Sequence, residues 1–264
     1  MIEIDFEDTL YNLQQSTRRN YLSRLKHYKL WCETRDVPES QNSAIRFAET
    51  YKSRASSNQV IVILKKYLLY KGMEVDRMKP FRVADRPKPH LDEKQLHVLL
   101  STRLGTPKDL RNILMFRFMA YGGLRESEVV GLYLVDVDLV NKSVKIHGLH
   151  VKGAKGRVAY VDDDTIKLVK MYVSREKMEK NDLLFPITTS AVRKILKRYI
   201  KKAGLPLEIS PHRLRDTFAI RFINKGGDIT KLSRIMGHSK IETTMIYLKY
   251  SNKDLQDEHQ KVFG

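Results

Sequence analysis

The sequence predicts a mainly α-helical chain with a small antiparallel β-sheet, made of a helical N-terminal domain and an α+β C-terminal domain. Three observations predict it. Apolar residues recur at helical spacing through the first third of the chain. Short alternating segments of strand type are confined to the stretch between about 132 and 161. Between the two lies RVADRPKPH (82–90), where Pro87 and Pro89 favour extended chain and end any preceding helix. The expected parts are residues 1–82, a linker at 83–90, and residues 91–264.

In the first part, Ser16 or Thr17 is the expected cap of a helix carrying Tyr21, Leu22, Leu25, Tyr28 and Trp31 on one apolar face. A second helix is expected at about 41–53. A third, at about 57–71, carries Val60, Ile63, Leu64, Tyr67 and Leu68 and stops at Gly72. The tyrosines and the tryptophan fall on the apolar stripe and read as core. Arg18, Arg19, Lys26 and Lys29 lie off it and are the candidates for phosphate contact.

In the second part, Asp92 and Gln95 form a capping box for a helix to about Thr102. A strongly apolar helix follows at about 109–120 and stops at Gly122 and Gly123. Leu132–Val137, Ser143–His147 and Arg157–Val161 read as three antiparallel strands. Helices resume at about 163–178 and continue to the end.

The charge balance points to a partner. Lys and Arg number 49 against 31 Asp and Glu, a net charge of +18. Self-repulsion of that size opposes folding, so it argues for a polyanion such as nucleic acid. Residues 1–85 carry +4 and the remainder +14. The single cysteine, Cys32, excludes an internal disulfide and a cysteine-based zinc site. No apolar run approaches the roughly 20 residues needed to span a bilayer. The acidic N-terminus is unlike a secretory or mitochondrial signal. A cytoplasmic or nucleoid-associated protein, with no membrane partner, is expected.

Residues 190–203 (SAVRKILKRYIKKA) place Val192, Ile195, Leu196, Tyr199 and Ile200 on one helix face. Arg193, Lys194, Lys197, Arg198, Lys201 and Lys202 stand on the other. No acidic residue at four-residue spacing neutralises that stripe, which suits the sugar-phosphate backbone of double-stranded DNA.

The densest chemistry lies at 210–250. Ser210 and Pro211 open a helix whose first turns carry His212 and Arg215, close to free N–H groups and a partial positive charge. That field disfavours imidazolium, leaving His212 able to act as a base. A further helix is expected from near Asp228 to Gly237, followed by His238. Ser239 and Glu242 read as a capping box for a helix containing Tyr247. Singly these residues read as core or as ion pairs. The order His-x-x-Arg, Gly-His, Tyr is what carries weight.

This pattern resembles the tyrosine recombinase (phage integrase) family, most of all its Xer-like members. GHSKIETTMIY (237–247) matches the Gly-His…Tyr segment and SPHRLRDTFA (210–219) the His-x-x-Arg segment. GGLRESEVVGL (122–132) matches the first-arginine motif, with Arg125 and Glu128. VKGAKGRVAYV (151–161) matches the lysine-bearing β-hairpin, where Lys152 aligns best and Lys155 is its rival. STRRNYLSRLKHYKLWC (16–32) resembles the family's helical, SAM-like core-binding domain.

The resemblance implies that the second part is the catalytic domain of a site-specific DNA recombinase. Tyr247 is then the nucleophile, forming a 3′-phosphotyrosyl bond. Arg125 and Arg215 bind the non-bridging oxygens, and His212 assists the tyrosine. Lys152 protonates the leaving 5′ oxygen. His238 donates a hydrogen bond to the phosphate, and Glu128 holds His212 or Arg125 in place. Neither a cofactor nor a metal ion is expected, because two guanidiniums carry the charge. A tetramer on two DNA sites is implied, serving Xer-type dimer resolution or integration and excision of a small mobile element. Tyr250, three residues on, departs from the family spacing. The hairpin is lengthened around HGLHVKGAKG, with His147 and His150 nearby. The apolar end of the tail, Val262 and Phe263, has docking on a neighbouring protomer or packing on its own domain as alternatives. Two other readings stand beside the first: a type IB topoisomerase-like relaxing activity, and a non-catalytic DNA-binding relative.

Overall fold

In the computed structural model, residues 5–83, 89–147 and 156–250 are described. The chain divides into two compact units, Met1–Pro87 and Lys88–Gly264.

The first unit is helical. Helices α1 (Gln15–Glu33), α2 (Gln41–Glu49) and α3 (Arg54–Tyr70) surround a core of Leu25, Tyr28, Phe47, Val60, Leu64 and Tyr67. The tyrosines and the tryptophan read as core are inside or against it. Tyr28 joins α1 to the start of α2: its hydroxyl lies 2.8 Å from Ser43 Oγ and accepts the Ser40 N–H at 3.1 Å. Ser40 caps α2, and Ser53 caps α3 three residues earlier than expected. Neither Ser16 nor Thr17 caps α1. That helix begins one residue before them, its N-cap is Gln14, and no side chain closes its first turn. At Gly72 a φ of +70° ends the third helix as expected.

The second unit is built around one helix. Its helices are α4 (Glu93–Ser101), α5 (Asp109–Gly122), α6 (Glu126–Val130), α7 (Asp163–Glu176), α8 (Thr189–Lys202), α9 (Pro211–Asn224), α10 (Ile229–Met236) and α11 (Glu242–Met245). Helix α5 is buried along most of its length. Ile113, Leu114, Met115, Phe116, Phe118, Met119 and Ala120 are all buried, and α4, α7, α8 and α9 pack around it. Phe116 meets Tyr199 of α8 edge-on at 5.2 Å. At the start of α5, the buried Asp109 accepts the N–H groups of Leu104, Gly105 and Thr106. The Asp92–Gln95 capping box forms at both contacts, 2.8 and 3.2 Å.

The sheet is three-stranded and antiparallel: β1 (Val137–Asp138), β2 (Ser143–Ile146) and β3 (Arg157–Tyr160), with Val144 opposite Ala159 and Ile146 opposite Arg157. The first strand is far shorter than the sequence suggests. Leu134–Asp136 forms a 3-10 turn, because the Asp136 carboxylate accepts the Tyr133 N–H at 3.0 Å and closes it. The neighbouring backbone bonds run instead to the 180–184 loop, with Leu134 N–H donating to Asp182 O at 3.0 Å and Leu184 N–H to Leu132 O at 2.8 Å.

Gly123 turns the chain from α5 into α6 with a φ of +65°. A Cβ there would stand 2.5 and 2.7 Å from Phe218 ring carbons. Gly123→Ala combines a left-handed backbone, roughly 1–2 kcal/mol for an L-residue, with that clash. A urea transition followed by far-UV circular dichroism is expected to lose about 2 kcal/mol or more. A loss below about 0.5 kcal/mol would contradict this account of the turn.

Candidate active site

Four separated segments meet at the site. Arg125 follows the Gly123 turn as the residue that begins α6. Its backbone N–H donates to Glu128 Oε2 at 2.7 Å and its Nη1 to Glu128 Oε1 at 2.8 Å. Of the two partners expected for Glu128, Arg125 is the one these bonds join to it.

Arg215 lies one turn inside α9 and is only 1% exposed. Its Nη1 donates to Gly123 O and its Nη2 to Met236 O. Glu128 Oε2 lies 3.7 Å away. Burial, then the Arg125 charge, push its pKa down to about 9, so it is still a cation at neutral pH. Asp216 pairs with Arg213 instead, at 2.6 Å.

Gly237 ends α10 in the left-handed conformation, φ +64°, and delivers His238 to the cluster. His238 Nε2 lies 3.3 Å from Arg215 Nη2, and its Nδ1 is 2.8 Å from Thr244 Oγ1. A guanidinium only donates, so Nε2 accepts and the ring proton sits on Nδ1. Burial first, then Arg215, Arg125 and Arg157, hold the imidazole down to about 4. His238 is neutral at pH 7 in this arrangement.

Tyr247 is 3% exposed and belongs to a small core with Ala219, Ile220, Ile223, Leu232 and Met236. Its hydroxyl donates to Asp216 Oδ1 at 2.6 Å. Burial, then that carboxylate, push the phenol well above its ordinary value. The local backbone differs from expectation. The Ser239–Glu242 box does not cap a long helix: α11 is one turn long with Ile241 at its N-cap, and Tyr247 stands in a 3-10 turn, Ile246–Tyr250. At the start of α9, Ser210 occupies the N-cap without a side-chain bond and Pro211 takes the first turn.

The side chain of His212 is 65% exposed, with Nε2 3.8 Å from Asp216 Oδ1. It lines a cleft of about 330 Å³ with Arg125, Glu126, Ser127, Arg193, Ser210 and Pro211. The free N–H end of α9 thus opens beside a guanidinium, a setting suited to an anion. All six cations of α8 are exposed. One of them, Arg193, is paired with Glu126 at the cleft, a partner outside its own helix that four-residue spacing does not reveal. In the first unit Arg19, Lys26 and Lys29 are exposed, while Arg18 is half-buried and bound to Glu7 at 2.9 Å. Lys152 and Lys155, with His150, fall outside the described residues, as do Val262 and Phe263; His147 pairs with Asp136 at 2.6 Å.

Two residues of the site were not singled out from sequence. Asp216 is fully buried and holds the Tyr247 hydroxyl. Arg157 reaches in from β3 to Glu128. Strand alternation carried a signal for Arg157, since it shares the inward face with Ala159. Nothing at Asp216 distinguishes it from a surface ion-pair residue.

Residues 89–254 match the phage integrase family. A tyrosine recombinase XerA of Thermococcus kodakarensis is 30% identical over 93% of this chain and 89% of its own. A tyrosine recombinase XerC of Halalkalibacterium halodurans is 29% identical over 91% and 89%. Among solved structures, a Tn1549 transposon integrase in complex with a circular intermediate DNA superposes with a TM-score of 0.75 at 18% identity, covering 96% of this chain and 94% of that one. XerH recombinase bound to its difH substrate gives 0.72 at 22% identity, covering 97% and 82%. At those identities the two structures speak for the fold. The match over residues 89–254 and the near full-length likeness to XerA together place this chain in the phage integrase family, as a Xer-like tyrosine recombinase.

Proposed function

We propose that the chain carries out site-specific recombination by attacking a DNA phosphodiester with the Tyr247 hydroxyl. The observation that carries this reading is the convergence of Arg125, Arg215 and His238 beside the helix that also holds Tyr247. The Tyr247 oxygen bonds to phosphorus, the bond to the 5′ oxygen breaks, and a 3′-phosphotyrosyl link forms. Reversal with a new 5′-hydroxyl rejoins the strand without an energy source. Arg125 and Arg215 hold the non-bridging oxygens; preorganised donors of this kind contribute about 3–4 kcal/mol each. His212 takes up the tyrosine proton at the cleft, and Lys152 protonates the leaving oxygen.

The DNA-free arrangement is a resting one. Tyr247 hydrogen-bonds to Asp216, and that bond works against ionisation. It has to leave Asp216 to reach a phosphate. His238 changes role as well. With a phosphate between it and Arg215, the ring proton moves to Nε2 or a second proton binds, and His238 donates.

The exposed stripe of α8, with Arg18, Arg19 and Lys155, contacts the DNA backbone. Residues 1–82 act as the core-binding domain, joined by the linker at 83–90 to a catalytic domain at 91–264. Four protomers assemble on two duplexes in the cytoplasm, and dimer resolution in chromosome segregation is the job we assign. No helix among the described residues is long and apolar enough to cross a membrane. A type IB topoisomerase is not favoured, because the relatives found are named as recombinases.

A nicked duplex carrying a recombination site, incubated with protein and EDTA, tests the nucleophile. A covalent protein–DNA adduct is expected from the wild type and from Tyr250→Phe. Tyr247→Phe is expected to lose it by at least about 10³-fold. Adduct formation by Tyr247→Phe would assign the chemistry elsewhere.

A second test follows His238 by NMR. Its folded pKa lies below the ordinary 6.5, so between about 6.5 and about 4 the unfolded chain takes up a proton that the folded one refuses. That contribution to stability is present above pH 6.5 and declines as the pH falls toward 4. The ring is expected to titrate near about 4 in free protein and to move upward when a scissile phosphate binds. A free-protein midpoint at 6.5 would contradict the arrangement.

A further inference from the structure

With Arg125 and Arg215 assigned to the phosphate, a third guanidinium in the cluster has no role. Arg157 is the first residue of β3, opposite Ile146, and its side chain is 9% exposed. Its Nη2 donates to Glu128 Oε2 at 2.7 Å, and its Nη1 donates to Ile235 O. It crosses directly over Gly237: a Cβ added there would stand 2.7 Å from Arg157 Cδ and 2.8 Å from Nε. Burying a third cation beside two others is unfavourable unless its partners compensate. The sheet alone does not call for it, since the next inward residue is Ala159.

The partners show what it holds. Three successive carbonyls at the end of α10 each accept one arginine. Ile235 O takes Arg157, Met236 O takes Arg215, and Gly237 O takes Arg125 at 3.3 Å. Glu128 is shared the same way, binding Arg125 and Arg157 directly and lying 3.7 Å from Arg215. Its two bonds go to the Glu128 carboxylate and the Ile235 carbonyl, the same carboxylate and helix end that hold Arg125 and Arg215.

We propose that Arg157 is a positioning residue for DNA cleavage, clamping Glu128 to the last turn of α10 so that Arg125 and Arg215 stand ready at the phosphate. The inference rests on the reading of those two arginines as phosphate ligands. Lysine cannot replace it, because a single ammonium does not span two acceptors as a planar fork does.

The test measures single-turnover cleavage of a nicked duplex, and DNA affinity, for Arg157→Ala and Arg157→Lys, with Arg125→Ala and Arg215→Ala as references. Three scissile groups are compared: a phosphodiester, a methylphosphonate lacking one charged oxygen, and a 5′-bridging phosphorothiolate whose leaving sulfur needs no proton. On the phosphodiester, both Arg157 variants are expected to cleave about 10–100-fold more slowly, as is typical when an outer support is removed. DNA affinity should stay within about threefold of the wild type. The defect should shrink to less than about threefold on methylphosphonate, where the guanidiniums have less charge to stabilise, and persist on the phosphorothiolate. If Arg157→Ala fails to fold by circular dichroism, the comparison rests on Arg157→Lys. Wild-type cleavage by the Arg157 variants overturns the inference, as does a defect unchanged on methylphosphonate or abolished on the phosphorothiolate. Wild-type cleavage by Arg125→Ala or Arg215→Ala would instead overturn the phosphate reading on which the inference rests.

Discussion

One carboxylate and one helix end hold three guanidiniums together, and the rest of the site is arranged around that constraint. Arg125, Arg157 and Arg215 come from α6, β3 and α9, and they meet at Glu128 and at the last carbonyls of α10. Like charges about 6 Å apart repel by about 3 kcal/mol at an effective dielectric of 20. Glu128 supplies one full negative charge, and the C-terminus of α10 supplies about half of one. The cluster is thus left short of negative charge. In the proposed mechanism a phosphate bound there restores the balance, and more so as charge builds on its oxygens during attack. Burial is the first cause that pushes Arg215 down to about 9 and His238 to about 4, and the neighbouring guanidiniums add to it in both cases.

Tyr247, the proposed nucleophile, is held separately. Arg215 and Asp216 are adjacent on α9, so their side chains leave the helix about 100° apart. One faces the guanidinium cluster and the other holds Tyr247. The guanidinium half, proposed to bind the phosphate, is therefore assembled without DNA, while Tyr247 is held on a buried carboxylate. Preorganisation of the charged half lowers the cost of reaching the transition state.

Much of this was legible in the sequence, for physical reasons. The glycine stops at Gly72, Gly123 and Gly237 coincide with positive φ angles. The amphipathic pattern of α8 sorted its residues into buried and exposed sets without error, apart from the half-buried Ile195. Local patterns served less well where a side chain competes with the backbone. Asp136 closes a turn where alternation suggested a strand, and Tyr247 lies in a 3-10 turn where a capping box suggested a helix. The supporting residues were hidden for another reason. Arg157 lies 29 residues from Glu128, and Asp216 lies 31 from Tyr247. Such pairings exist only in the folded chain, and neither residue type announces them.

Held by Glu128 and the end of α10, the three guanidiniums are fixed before DNA binds. Nitrogen-15 NMR of the arginine side chains in the DNA-free protein tests it most directly. Fixed guanidiniums rotate slowly about the bond from Nε to Cζ and give separate Nη signals, as expected for Arg125, Arg157 and Arg215. Averaged Nη signals for these three, like those expected of the exposed Arg198 of α8, would show that the cluster forms only on DNA.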